Sequence, residues 1–217
     1  MWKTAIILSK NYAVKKISKE ELAKSEKKDY LIAAVKKEID IQKMMSQFEN
    51  SVKYYLDFED DKYYIFIIEV CDESLANLLK KKIKLTVEEI LYIMKGLNKV
   101  FKYMIKIGLV HRDIKPDNIL IKYVDSSKTK YIPKIADFGL SRTLKDGLAT
   151  SEVGTPQYWA PEISSQQYYD NKCDLFSIGV MLYRCYFNSS PFKSNLSDRP
   201  IYSNKKLKDC EDKNLDD

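Results

Sequence analysis

Short apolar runs separated by polar turns make up the first third of the chain. Thr4–Leu8 and Tyr12–Ile17 predict two strands joined by Ser9-Lys10-Asn11, a hairpin-type turn. Ser18-Lys19-Glu20-Glu21 has the Ser-x-x-Glu form of a capping box, which predicts the start of a helix or helical turn. A helical period then runs through Leu31, Ala34, Val35, Ile39 and Ile41 to Met45. Two more strands are predicted over Val52–Phe58 and Tyr63–Val70, with Glu59-Asp60-Asp61-Lys62 as the turn. Strand, strand, helix, strand, strand implies a small sheet carrying one helix.

The pattern then becomes mainly helical. Glu73–Lys82 predicts a short helix. Thr86-Val87-Glu88-Glu89 is a second capping box, and it opens a helix with Ile90, Met94, Leu97, Phe101 and Met104 on one face. Gly108 stands where a helix end favours glycine. Short strands are predicted over Ile119–Tyr123 and Pro133–Ala136. Leu175–Phe187 is apolar nearly all round and predicts a buried helix. Beyond Pro191 the apolar density falls, so residues 193–217 are expected to form a polar, mobile tail.

Composition narrows the class without choosing a function. The 217 residues are 45% hydrophobic and 31% charged, as in a folded globular chain. The apolar runs fall short of the eighteen or so residues of a membrane span. Ala5-Ile6-Ile7-Leu8 is too short for the apolar region of a signal peptide. Cytosol or nucleus is the expected compartment. Cys71, Cys173, Cys185 and Cys210 lack metal-type pairing and are expected to be free thiols. The net charge of +6 is modest. Its densest run, Lys80-Lys81-Lys82-Ile83-Lys84, has no interleaved aromatics and reads as a solvated turn, not a nucleic-acid surface.

Two blocks carry the chemistry: His111-Arg112-Asp113-Ile114-Lys115-Pro116-Asp117-Asn118, and Asp137-Phe138-Gly139. The first offers a carboxylate that can act as general base, a lysine for phosphate charge and an amide oxygen for a metal. The second adds a further carboxylate. Phosphoryl transfer needs these parts, because its catalysis is placement and charge stabilisation. Magnesium, a hard cation, takes oxygen ligands and binds through phosphates plus one or two side chains.

In this order the blocks resemble the eukaryotic-type protein kinases. The resemblance implies a two-lobed α+β fold, with a small sheet-plus-helix lobe to about residue 70 and a mainly helical lobe over about 71–192. It also implies ATP and Mg2+ as cofactors and a protein serine or threonine as substrate, the lysine at Lys115 being the serine/threonine form. Asp113 and Lys115 match the catalytic pair, and Asn118 and Asp137 the metal ligands. Lys15, in Ala13-Val14-Lys15, matches the strand lysine that grips the phosphates, and Glu38 its ion-pair partner. Glu20, Glu21 and Glu26 precede the helix's apolar stripe and are not partners. Ala13 and Leu120 would sandwich the adenine, Ile68 would gate the pocket, and backbone groups of Glu69 and Cys71 would meet the adenine edge.

Gly154-Thr155-Pro156-Gln157-Tyr158-Trp159-Ala160-Pro161-Glu162 resembles the end of a kinase activation segment. Thr155 would bond toward Asp113 and Lys115. Ser151, with Thr150 as alternative, would be the phosphorylated site, with Arg112 and Arg142 receiving the phosphate. Asp174 matches a buried aspartate holding the catalytic loop, with Phe176 where a tryptophan is usual. Gln42 falls where many kinases have an apolar residue, and His111 is expected to pack. Tyr123–Tyr131 reads as an enlarged hairpin loop.

None of residues 1–14 is glycine, so the phosphate-covering glycine loop is expected to be missing, as are the last helices of the second lobe. Arg184 and Arg199 do not sit in the context expected of a Glu162 partner. The resemblance covers about Ala5–Phe192. Near the activation segment and hinge it faintly resembles autophagy-initiating kinases, with aurora-like and calcium/calmodulin-dependent groups as close competitors. A catalytically silent scaffold is the rival reading: pseudokinases typically lose the equivalents of Lys15, Asp113 or Asp137, and all three are present.

Overall fold

A computed structural model describes residues 5–9, 12–144, 152–165, 169–194 and 200–201. The first lobe is a four-stranded antiparallel sheet with strand order β1-β2-β4-β3. Its strands are β1 (Ala5–Ser9), β2 (Tyr12–Ser18), β3 (Tyr54–Glu59) and β4 (Tyr63–Glu69). Between β2 and β3 lie a short helix at the Ser18 cap and a longer one after it, as the two helical signals there predict. Ser18 Oγ accepts the Glu21 amide at 3.2 Å and starts the short α1 (Lys19–Ala23). A second helix, α2 (Lys28–Met45), begins without a side-chain cap.

One side of α2 packs Val35 and Ile39 with Ile17, Leu22 and Phe66 in the core of the small lobe. Its last turns place Ile41 and Met45 in the core of the other lobe. Each fully buried aliphatic side chain contributes about 1.5–3 kcal/mol, so α2 is fastened to both lobes. Gln42, on this buried side, is satisfied: its Nε2 donates to Val52 O at 2.5 Å.

The second lobe contains β5 (Glu73–Ser74), α3 (Leu75–Lys82), α4 (Val87–Lys106), β6 (Leu109–Val110), β7 (Ile119–Tyr123) and β8 (Tyr131–Ile135). It continues with β9 (Arg142–Thr143), α5 (Pro161–Ser164), α6 (Lys172–Phe187), β10 (Lys193–Ser194) and β11 (Pro200–Ile201). Glu73 and Ser74, expected to be helical, instead pair with Ile121 and Leu120. Ser74 Oγ caps α3 by accepting the Asn77 amide. The Thr86–Glu89 capping box is complete, with bonds of 3.3 and 3.0 Å. Gly108 ends α4 at φ +66°, a conformation that glycine adopts without steric cost.

Tyr123 and Tyr131, expected in the enlarged loop, face each other as the last pair of the β7–β8 ladder, so the loop itself is 124–130. α6 begins at Lys172 and is not buried all round, for Leu175 is 51% exposed. In the segment expected to be a polar tail, β10 and β11 pair with each other. Residues 195–199 and 202–217, Cys210 among them, lie outside the described residues. Cys71, Cys173 and Cys185 are free thiols, as expected. No helix among the described residues is long and apolar enough to cross a membrane.

Candidate active site

β2, α2 and the segment after β8 bring three charged groups together. Lys15 Nζ lies 2.5 Å from Glu38 Oε1 and 2.9 Å from Asp137 Oδ1. Burial works against the Lys15 charge, but the two carboxylates outweigh it and raise its pKa. Burial pushes Glu38 up, and the Lys15 ammonium pulls it back. The Asp137 side chain remains 47% exposed. Crowding opposes its ionisation, yet Lys15 and the Gly139 amide hold its carboxyl below the usual range.

The other carboxylate is held by the loop between β6 and β7. Asp113 Oδ1 accepts the Thr155 hydroxyl at 2.7 Å. Its Oδ2 accepts Asn118 Nδ2 at 2.8 Å and lies 2.9 Å from Lys115 Nζ. Lys115 Nζ also donates to Thr155 Oγ1 at 2.6 Å, so the lysine, threonine and aspartate form one directed chain of donors. Gly154 makes this meeting possible. Its φ is +94°, and a Cβ there would stand 2.1 Å from Arg112 O.

Asp174 fixes the loop from below, accepting the His111 amide at 2.7 Å and the Arg112 amide at 2.9 Å. An asparagine can present only one oxygen to these two donors. Asp174→Asn is therefore expected to destabilise the fold by about 2–3 kcal/mol, read as a lowered denaturation midpoint. An unchanged midpoint would show the loop to be held elsewhere. His111 is buried and packs against Phe138, as expected. Its Nδ1 accepts the Asp113 amide, so its Nε2 carries the proton donated to Ala136 O at 3.1 Å. Arg112 and Asp137 both have positive φ, 69° and 63°. Such conformations cost about 1–3 kcal/mol each and persist where the surroundings over-determine them.

Asn118 and Asp137 flank the first rungs of β7–β8, where the Ala136 amide bonds to Asn118 O. Asn118 Nδ2 donates to both Asp113 O and Asp113 Oδ2. Its amide oxygen accepts no bond among the described residues, which suits a hard cation. Those residues include no group of three or more His, Cys, Asp or Glu able to hold a metal by themselves. That fits an ion held by two side chains together with phosphate oxygens.

Ala13 and Ile68 are paired across β2 and β4, both half-buried, and Leu120 is half-buried in β7. The Glu69 amide donates to Lys53 O, so only its carbonyl is a candidate for the adenine edge. Burial pushes the half-buried Cys71 thiol up to about 12. Arg112 Nε donates to Leu140 O, and Arg142 pairs with Val110 in the β6–β9 ladder. Thr150 and Ser151 lie outside the described residues. Arg184 Nη1 donates to Tyr158 OH at 2.7 Å, and Glu162 forms no ion pair among the described residues. Arg199 lies outside them.

Two lysines of the β7–β8 hairpin escaped the motif reading. Buried Lys134 lies 3.0 Å from Glu69 Oε2 and donates to Glu49 O at 2.5 Å. Lys122 Nζ donates to Val70 O at 2.8 Å. Together they tie the end of β4 and the residue after it to the β7–β8 hairpin. The available signal was a lysine inside the apolar strand Ile132-Pro133-Lys134-Ile135, where a buried ammonium needs partners. Lys134→Met would strand the Glu69 carboxylate and is expected to cost about 3 kcal/mol. Adding Glu69→Gln should recover part of that loss in a double-mutant cycle. Strictly additive losses would deny the coupling.

A small antiparallel sheet with two helices, set against a mainly helical lobe, frames these charged groups. Residues 6–214 match the protein kinase domain, and the chain belongs to the protein kinase family. It is 34% identical over 190 residues to the serine/threonine-protein kinase unc-51 of Caenorhabditis elegans, covering 83% of this chain and 21% of that protein. It is 33% identical over 193 residues to ribosomal protein S6 kinase alpha-1 of Rattus norvegicus, covering 87% of this chain and 24% of that one. With the human serine/threonine-protein kinase ULK1 the identity is 34% over 189 residues, 84% of this chain and 17% of the relative. The chain thus spans about a quarter or less of these relatives.

Proposed function

We propose that this chain transfers the γ-phosphoryl group of Mg-ATP to a serine or threonine hydroxyl of a protein. The observation that carries the reading is Lys15, which bridges Glu38 on α2 and Asp137 after β8. A lysine held by two carboxylates at the lobe junction is positioned to meet phosphate oxygens, and it makes the site depend on the placement of α2. Asp113 accepts the proton of the attacking hydroxyl as the new O–P bond forms and the bond to ADP breaks. Lys115 offsets charge on the transferred group, and Thr155 keeps both side chains in place. Asn118 and Asp137 would hold Mg2+, which when bound screens the phosphate charge. The engagement of Lys15 with Glu38 and Asp137, and of Asp113 with Lys115, Asn118 and Thr155, supports catalysis over a silent scaffold.

The direct test is transfer of label from γ-labelled ATP to a generic protein substrate in the presence of Mg2+. Phosphoserine or phosphothreonine is the product expected. Binding of Mg-ATP without transfer to any of several basic and acidic protein substrates would favour the scaffold.

A further inference from the structure

After Glu88 and Glu89 in its first turn, α4 carries charge of one sign only. Lys95, Lys99, Lys102 and Lys106 follow at spacings of four, three and four residues. At about 100° and 1.5 Å per residue, they fall within an arc of about 60° and form a row about 16 Å long. All four are exposed, as is Asn98 among them. The opposite face of the helix, with Ile93, Leu97, Val100, Phe101 and Met104, is buried in the core of the helical lobe. Packing therefore fixes the lysine row outward.

Lysines elsewhere in this lobe are engaged: Lys81 with Glu73, and Lys82 with Glu89, which also closes the Thr86 cap. The four of the row have no carboxylate partner among the described residues. Like charges three or four residues apart on a helix repel each other and weaken it. The row contains three such neighbours: Lys95–Lys99, Lys99–Lys102 and Lys102–Lys106. An external anion would relieve that repulsion. Two apolar side chains extend the same outer face, Leu91, 50% exposed, before the row and Ile105, 43% exposed, near its end. The surface is thus basic in the middle and apolar towards both ends.

We propose that the outer face of α4 rests on an anionic phospholipid surface, the lysines meeting headgroup charges and Leu91 and Ile105 entering the boundary with the acyl chains. A leaflet of anionic lipid attracts clustered lysines on an exposed helix, and shallow burial of apolar side chains adds to the attraction. A plane of charge complements a straight, convex ridge, whereas an acidic peptide would find no enclosing walls there. A nucleic-acid strand fits less well. α4 contains no arginine, the residue suited to bidentate phosphate recognition, and a phosphate backbone would give Leu91 and Ile105 nothing to bury against. None of the four lysines belongs to the phosphoryl-transfer site, so attachment leaves Lys15, Asp113 and Asp137 free.

The test is vesicle co-sedimentation of the full chain, a readout independent of phosphoryl transfer. Vesicles of phosphatidylcholine with about 30% phosphatidylserine should retain the protein, and vesicles of phosphatidylcholine alone should not. Raising the salt to about 0.5 M should release most of it. Lys99→Gln combined with Lys102→Gln should weaken partition by about twentyfold, at about fivefold per lysine. Lys99→Arg combined with Lys102→Arg should preserve it, and Leu91→Ser should weaken it severalfold. Denaturation midpoints no lower than the parent's would confirm that the variants fold. Lys28→Gln combined with Lys36→Gln removes the same charge from exposed positions of α2 and should leave partition unchanged. Equal loss in that variant would assign the binding to net charge and overturn the role of α4. Failure to bind the anionic vesicles, equal binding to the neutral ones, or indifference to the α4 substitutions would also overturn the proposal. So would displacement from the vesicles by oligothymidylate at equal phosphate concentration, which would make nucleic acid the preferred partner.

Discussion

Asp113→Asn is expected to lower turnover by about two to four orders of magnitude while leaving Mg-ATP affinity nearly unchanged. The two oxygens of Asp113 face three donors, from Thr155, Asn118 and Lys115. An amide retains the volume but supplies only one acceptor oxygen, so at least one of those donors must turn away. It also cannot take up the proton of an attacking hydroxyl. The nucleotide-side charges, Lys15 with Glu38 and Asp137, are not touched by the change. The measurement is steady-state transfer from γ-labelled ATP, with nucleotide affinity followed separately by thermal shift. Equal turnover in the two proteins would remove Asp113 from the mechanism. Lost affinity together with lost turnover would point to a general collapse of the site.

Gly154→Ala should combine the next largest loss of activity with a loss of stability. The new Cβ would collide with the Arg112 carbonyl, a backbone atom that cannot swing aside as a side chain can. The backbone at φ +94° is also outside the range L residues favour. Overpacking and the unfavourable dihedral together amount to about 3–4 kcal/mol. Relief requires the 152–155 segment to back away from the loop. That carries Thr155 off Asp113 and Lys115, and a displacement of about 1 Å can cost about a hundredfold in rate. The expected signature is a fall in the denaturation midpoint and in turnover together. A variant with parental stability and turnover would mean that the segment does not approach Arg112 in solution.

Much of the site was legible because its chemistry is carried by residues close in sequence. Asp113, Lys115 and Asn118 occupy one loop, and the structure shows them in mutual contact. Glu38 was readable only through the resemblance, and both it and Asp137 are found on Lys15. The Thr86–Glu89 cap, the glycine end at Gly108 and the packing role of His111 also agree with expectation. The reading was weaker where a local pattern was compatible with two outcomes. Glu73 and Ser74 look like the first turn of a helix, but the edge of β7 takes them as a strand.

By itself the sequence determined the order of elements, the helix caps and the set of chemically competent side chains. Those are encoded in periods and spacings of a few residues, where the backbone's own hydrogen-bonding needs decide the outcome. Only the tertiary structure decided which distant polar groups satisfy one another. Lys134 with Glu69 and Lys122 with Val70 O are pairs separated by long stretches of chain. A buried charge or amide requires a partner, but nothing local specifies which one. The same holds for Gly154, whose need for no side chain comes from an Arg112 carbonyl supplied by another segment.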